Sequence, residues 1–490
     1  MKNLIIILIS LIPAGLQAQD TVWTKTFGTP AADGAKSVCI ANDDGYVVAG
    51  YSFATPSKIA KTMLIKISGD GVELWRTILD LPGSKYPADI CRRSDAAGYL
   101  LCGKSQEEGQ LFPDLWIAEV SNSGRLVWSK TIGGDGFDVG EAICSTRSGD
   151  YLIAGTTTSI GLGSEDLYAL KIDGNGQVIW EKTFGAGKPD TGSDVIETSD
   201  GYYLFGGSTS TYDNPPSLGR NRDMFVVKTD TNGILIKSAA LWVMAASQGA
   251  YDACNSLCEL ANGDYAAVGV CSQEGVEPCD IGVIRMNTEL VPVWKKNVEV
   301  GNYFDFGYSG TVYTADNGLL ICGMKNLNSS MQSDGVMLKM EADGKTSWKL
   351  SFGGPGKEAF QAIATTGQGD YVLAGYSNSN ESDDMNFWLM KFSENASGVD
   401  SFINRETVDC RIWPNPASDA ISVSTVVPGS GYVQLQLTDV SGRIVRDYRL
   451  KGLRPGLMTK HIDITGLLPG MYFCTVNCNG NRKTIELIIK

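Results

Sequence analysis

Short apolar runs, separated by Gly, Asn, Asp and Ser, fill the chain from residue 21 to residue 393. One run recurs as GYVVAGYS, GYLLCGKS, DYLIAGTT, GYYLFGGS, DYAAVGVC, GLLICGMK and DYVLAGYS. In the third copy it stands between GEAICST and the pair DLYALKID and QVIWEKTF. Four strand-like runs per copy, bounded by turn residues, predict four-stranded antiparallel units. Trp23, Trp75, Trp128, Trp180, Trp294 and Trp348 mark the fourth run, with Lys237 in the equivalent place between Trp180 and Trp294, giving a period of 52 to 57 residues. Radial repetition of such units is the sequence sign of a β-propeller, in which each sheet buries its faces against its neighbours. The last copy has only three runs, AFQAIATT, YVLAGYS and NFWLMKFS. The missing one is TVWTKTF, so residues 21–27 are expected to complete blade seven and remove an exposed sheet edge.

The turns between third and fourth runs read ISGDGVEL, VSNSGRLV, IDGNGQVI, TDTNGILI and MEADGKTS. Asn-Gly and Asp-Gly are expected to give two-residue hairpins with positive φ. No acid closes these segments as a calcium loop requires.

Residues 408–490 change pattern. Period-two alternation in VDCRIWPNPASDAISVS, YVQLQLTDVSGRIVRDYRL, KHIDITGLLPGMYFCTVNC and RKTIELIIK predicts a small Ig-like β-sandwich. The fold class is therefore all-β: a seven-bladed β-propeller over 19–395, a linker at 396–407 (within SENASGVDSFINRET), and a sandwich at 408–490. Trp413–Asp419 (WPNPASD), DVSGRIV at 439–445, LLPGMYF at 467–473 and the terminal strand ending at Lys490 resemble the type A C-terminal sorting domain of type IX secretion. The motif positions are Pro414, Asn415, Pro416, Asp439, Gly442, Gly470, Tyr472 and Lys490; Trp413 replaces the usual Tyr or Phe. The resemblance implies recognition by the type IX translocon and sorting machinery, then release or attachment at the outer-membrane surface.

Residues 1–18, MKNLIIILISLIPAGLQA, place Lys2 before an apolar run that ends on Ala18, as a Sec signal peptide does. No Cys follows Ala18 to carry a lipid, and no other segment is long and apolar enough to predict a membrane span. The formal charge of −14 argues against nucleic acid. The 408–490 segment holds ten Lys and Arg against six Asp and Glu, a mildly basic address on an acidic cargo.

Of twelve cysteines, Cys39, Cys91 and Cys144 lie sixteen residues after their repeat Trp, and Cys258 is equivalent. Ile196 and Ala364 hold the same place, which marks a packing position. Bridges Cys91–Cys102 and Cys271–Cys279 are also compatible with the spacing. The only histidine, His461, lies outside the propeller. That excludes a Ser-His-Asp triad and a His-rich zinc site from it. No metal or cofactor is expected.

Asp33, Asp138, Asp190, Asp252, Asp305 and Glu358 precede the first run of six copies. They form either a ring of ligand-binding carboxylates or a set of local loop caps. Asp114, Asp166, Asp223, Asp280 and Asp334 stand five residues before Glu119, Lys171, Lys228, Arg285 and Lys339, spacing that puts the two on opposite faces of a strand. The repeat Trp is either a sugar platform or inter-blade packing. The turn-plus-Trp pattern resembles the Asp-box of sialidase-type propellers and the tryptophan-docking repeat of quinoprotein dehydrogenases. Asp173, Asn175, Gly176 and Trp180 miss the first spacing, and the Thr-Gly of the second is absent, so neither activity carries over. The leading expectation is a non-enzymatic binding or adhesion module for glycan or protein. The alternatives are a carboxylate-dependent polysaccharide hydrolase or lyase using acids such as Asp138 and Asp190, and a plain spacer.

Overall fold

The computed structural model describes residues 21–53, 59–210, 222–243, 251–273, 276–300, 305–306, 311–313, 317–326, 332–354, 356–365, 369–379, 384–393, 410–413, 415–427, 431–440, 443–453, 456–478 and 481–490. The signal segment 1–18, the linker 396–407, Pro414 and Gly442 lie outside them. The chain divides into two compact units, residues 1–399 and 400–490.

The first unit is a seven-bladed propeller of antiparallel sheets. Blade one runs from Asp33 to Ile78, two from Ser84 to Ile132, three from Asp138 to Phe184, four from Asp190 to Leu241 and five from Tyr251 to Val298. In blade six the first strand is described as two pieces, Asp305–Phe306 and Thr311–Tyr313, both paired to Leu319–Asn326. Blade seven combines Glu358–Thr365, Asp370–Ser377 and Asn386–Ser393 with Thr21–Phe27 as its outer strand. Thr21–Phe27 pairs antiparallel with Asn386–Ser393, and Trp388 Nε1 donates to Thr24 Oγ1 at 2.9 Å.

Seven apolar clusters lie between the blades, one at each junction. Val48, Met63 and Ile65 of blade one meet Val372, Phe387 and Leu389 of blade seven, so the ring is continuous. Cys39, Cys91, Cys144 and Cys258 fill these junctions. Burial pushes the Cys258 thiol up to about 12. Cys91 and Cys102 are reduced thiols, which corrects the first bridge expectation; the second, Cys271–Cys279, falls on a residue outside the described side chains. Cys91 faces Leu100 and Cys102 faces Asp89 across the ladder, so the first pair are not cross-strand neighbours.

The hairpin turns also differ from expectation. Gly176 N donates to Asp173 O and Asp173 N to Gln177 O, a three-residue loop with a register shift at Lys171/Ile172. Only Gly176, at φ 70°, is left-handed; Asn175 is not. The Asp173 carboxylate accepts the amides of Asn175 and Gln177, a local turn bond.

The second unit is a sandwich of two sheets. One holds Cys410–Trp413, Ala420–Val427 and Gly456–Asp463; the other holds Ile444–Leu453, Gly431–Asp439, Gly470–Cys478 and Asn481–Ile489. Ile421, Val423, Leu435, Leu437, Ile462, Val476 and Leu487 form its core. Asn415 clamps the last strand: its Nδ2 donates to Glu486 O at 2.8 Å and its Oδ1 accepts Ile488 N at 2.9 Å. Lys490 N donates to Ala417 O. Asp439 accepts Arg443 N and Nε across its turn, and Tyr472 OH donates to Leu468 O. His461 is exposed and its Nδ1 meets Ser422 Oγ at 2.7 Å.

Candidate functional site

In six of the blades the innermost strand carries one extra residue. Its pairing with the second strand slips between residues 35 and 37, 87 and 89, 140 and 142, 192 and 194, 254 and 256, and 360 and 362. A β-bulge puts two residues opposite one and re-aims the extra side chain. Lys36, Ala88, Glu141, Ser193, Asn255 and Gln361 are those extra residues, and all six line one central cavity of about 850 Å³. The bulge brings a carbonyl against the second strand. A Cβ at Gly155 would stand 1.9 Å from Val139 O, and one at Gly50 2.1 Å from Gly34 O. The Gly that recurs in the second run is, in these six blades, the sequence trace of the bulge.

One side of the cavity is aromatic. Tyr51 meets Phe53 edge-on at 5.7 Å and Tyr86 at 6.2 Å, and Lys104 Nζ stands 5.5 Å above the Tyr86 ring. The other side is polar, with Glu141, Thr156, Glu165, Thr191, Ser193, Arg222 and Asn255. Arg222 pairs with Glu165 at 3.3 Å. Lys36 donates to Gln361 Oε1 at 3.3 Å. Glu141 is exposed to the lumen, with the blades of the ring gathered around it. That enclosure pushes its carboxyl pKa up, against the pull of Lys104 and Lys36. The same enclosure draws the Lys36 ammonium down, partly opposed by Glu141.

The sequence-singled acids lie elsewhere. Asp33, Asp138, Asp190, Asp252 and Glu358 are 0–2 % exposed, and none lines the cavity. Each of these five fixes its own loop. Asp138 Oδ2 accepts Gly134 N and Ser159 Oγ, and its Oδ1 accepts Thr157 Oγ1. Asp190 accepts Ala186 N and Thr209 Oγ1; Glu358 accepts Gly354 N, Ser377 Oγ and Ser379 Oγ; Asp33 accepts Thr29 N and Oγ1. A carboxylate so enclosed has no face for a ligand, which corrects the ring of ligand-facing acids and the use of Asp138 and Asp190 as catalytic groups. The Asp305 side chain lies outside the described residues. Asp252 is the exception in bonding: its Oδ2 accepts Val243 N, but its Oδ1 has no partner among the described residues. The residue opposite it is Cys271, where blades three and four place Thr157 and Thr209. Burial pushes Asp252 up to about 7.

The strand-three cations are also structural. Lys66, Lys171, Lys228 and Arg285 pair with Asp43, Asp150, Asp200 and Asp264 of their own first hairpin, at 2.6–3.3 Å. In blade two the signs are exchanged: Glu119 stands on the strand and Arg93 comes from the turn, at 2.8 Å. The repeat Trp packs between blades. Trp23, Trp75, Trp180 and Trp294 donate to the carbonyls of Gly69, Asn122, Thr231 and Ala342 in the next blade's turn. Trp128 turns to Glu119 Oε2, and Arg93 takes the equivalent Gly174 carbonyl.

Residues 411–490 match the family model of the secretion system C-terminal sorting domain. No curated protein matches the chain. Among solved structures, PorZ, a surface component of the type IX secretion system of Porphyromonas gingivalis, is 13 % identical over 91 % of this chain and 58 % of its own, at TM-score 0.41. The present chain thus spans under two thirds of PorZ. The α-L-arabinofuranosidase Arb93A of Fusarium graminearum is 9 % identical over 75 % of this chain and 94 % of its own, at 0.43. The β-propeller domain of the Trilobed protease of Pyrococcus furiosus is 10 % identical over 75 % and 96 %, at 0.42. The C-terminal domain marks the chain as cargo of type IX secretion, exported to the cell surface or beyond.

Proposed function

We propose that the propeller is a carbohydrate-binding module displayed or released outside the cell, carried there by the sorting domain. The observation that supports this reading is the central cavity. An aromatic wall of Tyr51, Phe53 and Tyr86 faces hydroxyl and amide side chains across a space large enough for a sugar residue. Sugar rings present an apolar face and a rim of hydroxyls, and this pairing of surfaces serves both. A glycan array probed with the full chain tests it. Binding to defined glycans, weakened at least tenfold by Tyr86→Ala, supports the reading; binding only to protein partners, with Tyr86→Ala without effect, overturns it.

The route rests on residues 1–18 as a Sec signal and 396–407 as the link to the sorting domain. Deleting 411–490 is expected to leave the protein in the periplasm, and its continued arrival at the surface refutes the route. A second, hydrolytic reading moves the carboxylate chemistry to Glu141, whose raised pKa suits a proton donor. Release of reducing ends from a polysaccharide panel, abolished by Glu141→Gln, favours it over simple binding.

A further inference from the structure

The charge inside the cavity is opposite in sign to the charge of the protein. The chain carries a formal −14, yet the lining holds Lys36, Lys104 and Arg222 against Glu141 and Glu165, one net positive charge. Arg222 and Glu165 answer each other. Among the described residues, Lys104 meets the Tyr86 ring and Lys36 bonds the neutral amide of Gln361, and neither is paired to an acid. Glu141 makes no hydrogen bond or ion pair among the described residues, although Lys36 and Lys104 both act on it through space. Three charged groups thus point into one lumen without touching.

We propose that Lys36 and Lys104 form an anion subsite for the carboxylate of a hexuronic acid residue, the sugar ring lying on the aromatic wall. This rests on the carbohydrate reading above and narrows it. Two ammonium groups within mutual electrostatic reach, neither bonded to a counter-ion, are favoured by an anion placed between them. One net positive charge matches a monoanion. A doubly charged phosphate would overfill it. Low-dielectric walls focus this local field against the acidic exterior. Tyr86 already carries Lys104 on its ring, which fixes the cation beside the stacking surface. Thr156, Thr191, Ser193 and Asn255 stand on the opposite wall for ring hydroxyls.

Isothermal titration of the full chain with oligogalacturonate and with the neutral galactose oligomer of equal length tests the proposal. The uronate is expected to bind at least tenfold more tightly at low salt, and 0.5 M NaCl is expected to erase most of the difference. Lys104→Ala, at a lumen-exposed position, and Lys36→Gln are each expected to remove the preference. Glu141→Gln is expected to tighten uronate binding several-fold. Equal binding of both oligomers by the wild type overturns the anion subsite and leaves the carbohydrate reading standing. A uronate preference untouched by Lys104→Ala and Lys36→Gln overturns the assignment to these lysines. Binding of neither oligomer, while protein ligands are captured, overturns both.

Discussion

At the outer junctions one arrangement is repeated, and on the channel wall one backbone position is given six different side chains. Trp23, Trp75, Trp128, Trp180 and Trp294 each lie on the next blade's turn, against Gly71, Gly124, Gly176, Gly233 and Gly344. The bulge residues are Lys36, Ala88, Glu141, Ser193, Asn255 and Gln361. The outer position carries the contact that makes a ring from wedges, and five blades solve it alike. The inner side chain lines a lumen and takes no part in that contact. In a repeat protein, recurrence marks packing and departure from recurrence marks the site.

One junction tests that rule from within. Where Lys237 replaces the Trp, the following turn has Leu290 in place of Gly, left-handed at φ 55° and 2 % exposed. The two departures go together: with no indole above the turn, a side chain fits there, and Lys237 reaches Glu289 at 3.5 Å instead.

The sharpest way to break the comparison is Gly155→Ala. Its Cβ would collide with the Val139 carbonyl, so the bulge that aims Glu141 cannot survive intact. A loss of about 4 kcal/mol or more is expected in denaturant titration; a wild-type midpoint would show that the bulge is dispensable. Next are the reciprocal turn changes. Gly176→Leu is expected to cost about 3 kcal/mol, because its Cβ meets Trp128 at 2.6 Å. Leu290→Gly is expected to cost about 2 kcal/mol through the lost burial. Equal and small effects at both junctions would mean that Trp and Gly are not coupled.

A third test uses the blade that departs from its sisters. Asp252, raised to about 7, keeps its proton in the folded chain while the unfolded chain releases it near pH 4. The folded state therefore binds more protons between pH 4 and 7, and stability falls as pH rises through that window. Asp194 of blade four, also raised to about 7 by burial, adds to the slope. Cys271→Thr, which supplies the hydroxyl that Thr157 gives Asp138, is expected to flatten the slope and add about 1 kcal/mol at pH 8. An unchanged pH profile by thermal melts would remove Asp252 from the account. The smallest effect is the most telling for function. Glu141→Gln and Lys104→Ala are expected to shift stability by no more than about 0.5 kcal/mol. A larger loss would make the lumen side chains structural after all.

The chain by itself determined the repeat, the blade count, the recurring Trp and the change of pattern at the C-terminal domain, because each is written in local hydrophobic period and turn chemistry. The Gly of the second run was visible too, but its reason was not: it answers a carbonyl on another strand. The acids before each first run were equally visible, and their burial was not, since burial depends on the hydroxyls of Thr157, Thr209 and Ser377 folding back over them. Only the tertiary structure decided which residues face the channel. A one-residue bulge turns a side chain from the sheet to the lumen, and the sequence alone does not show where two strands slip by one.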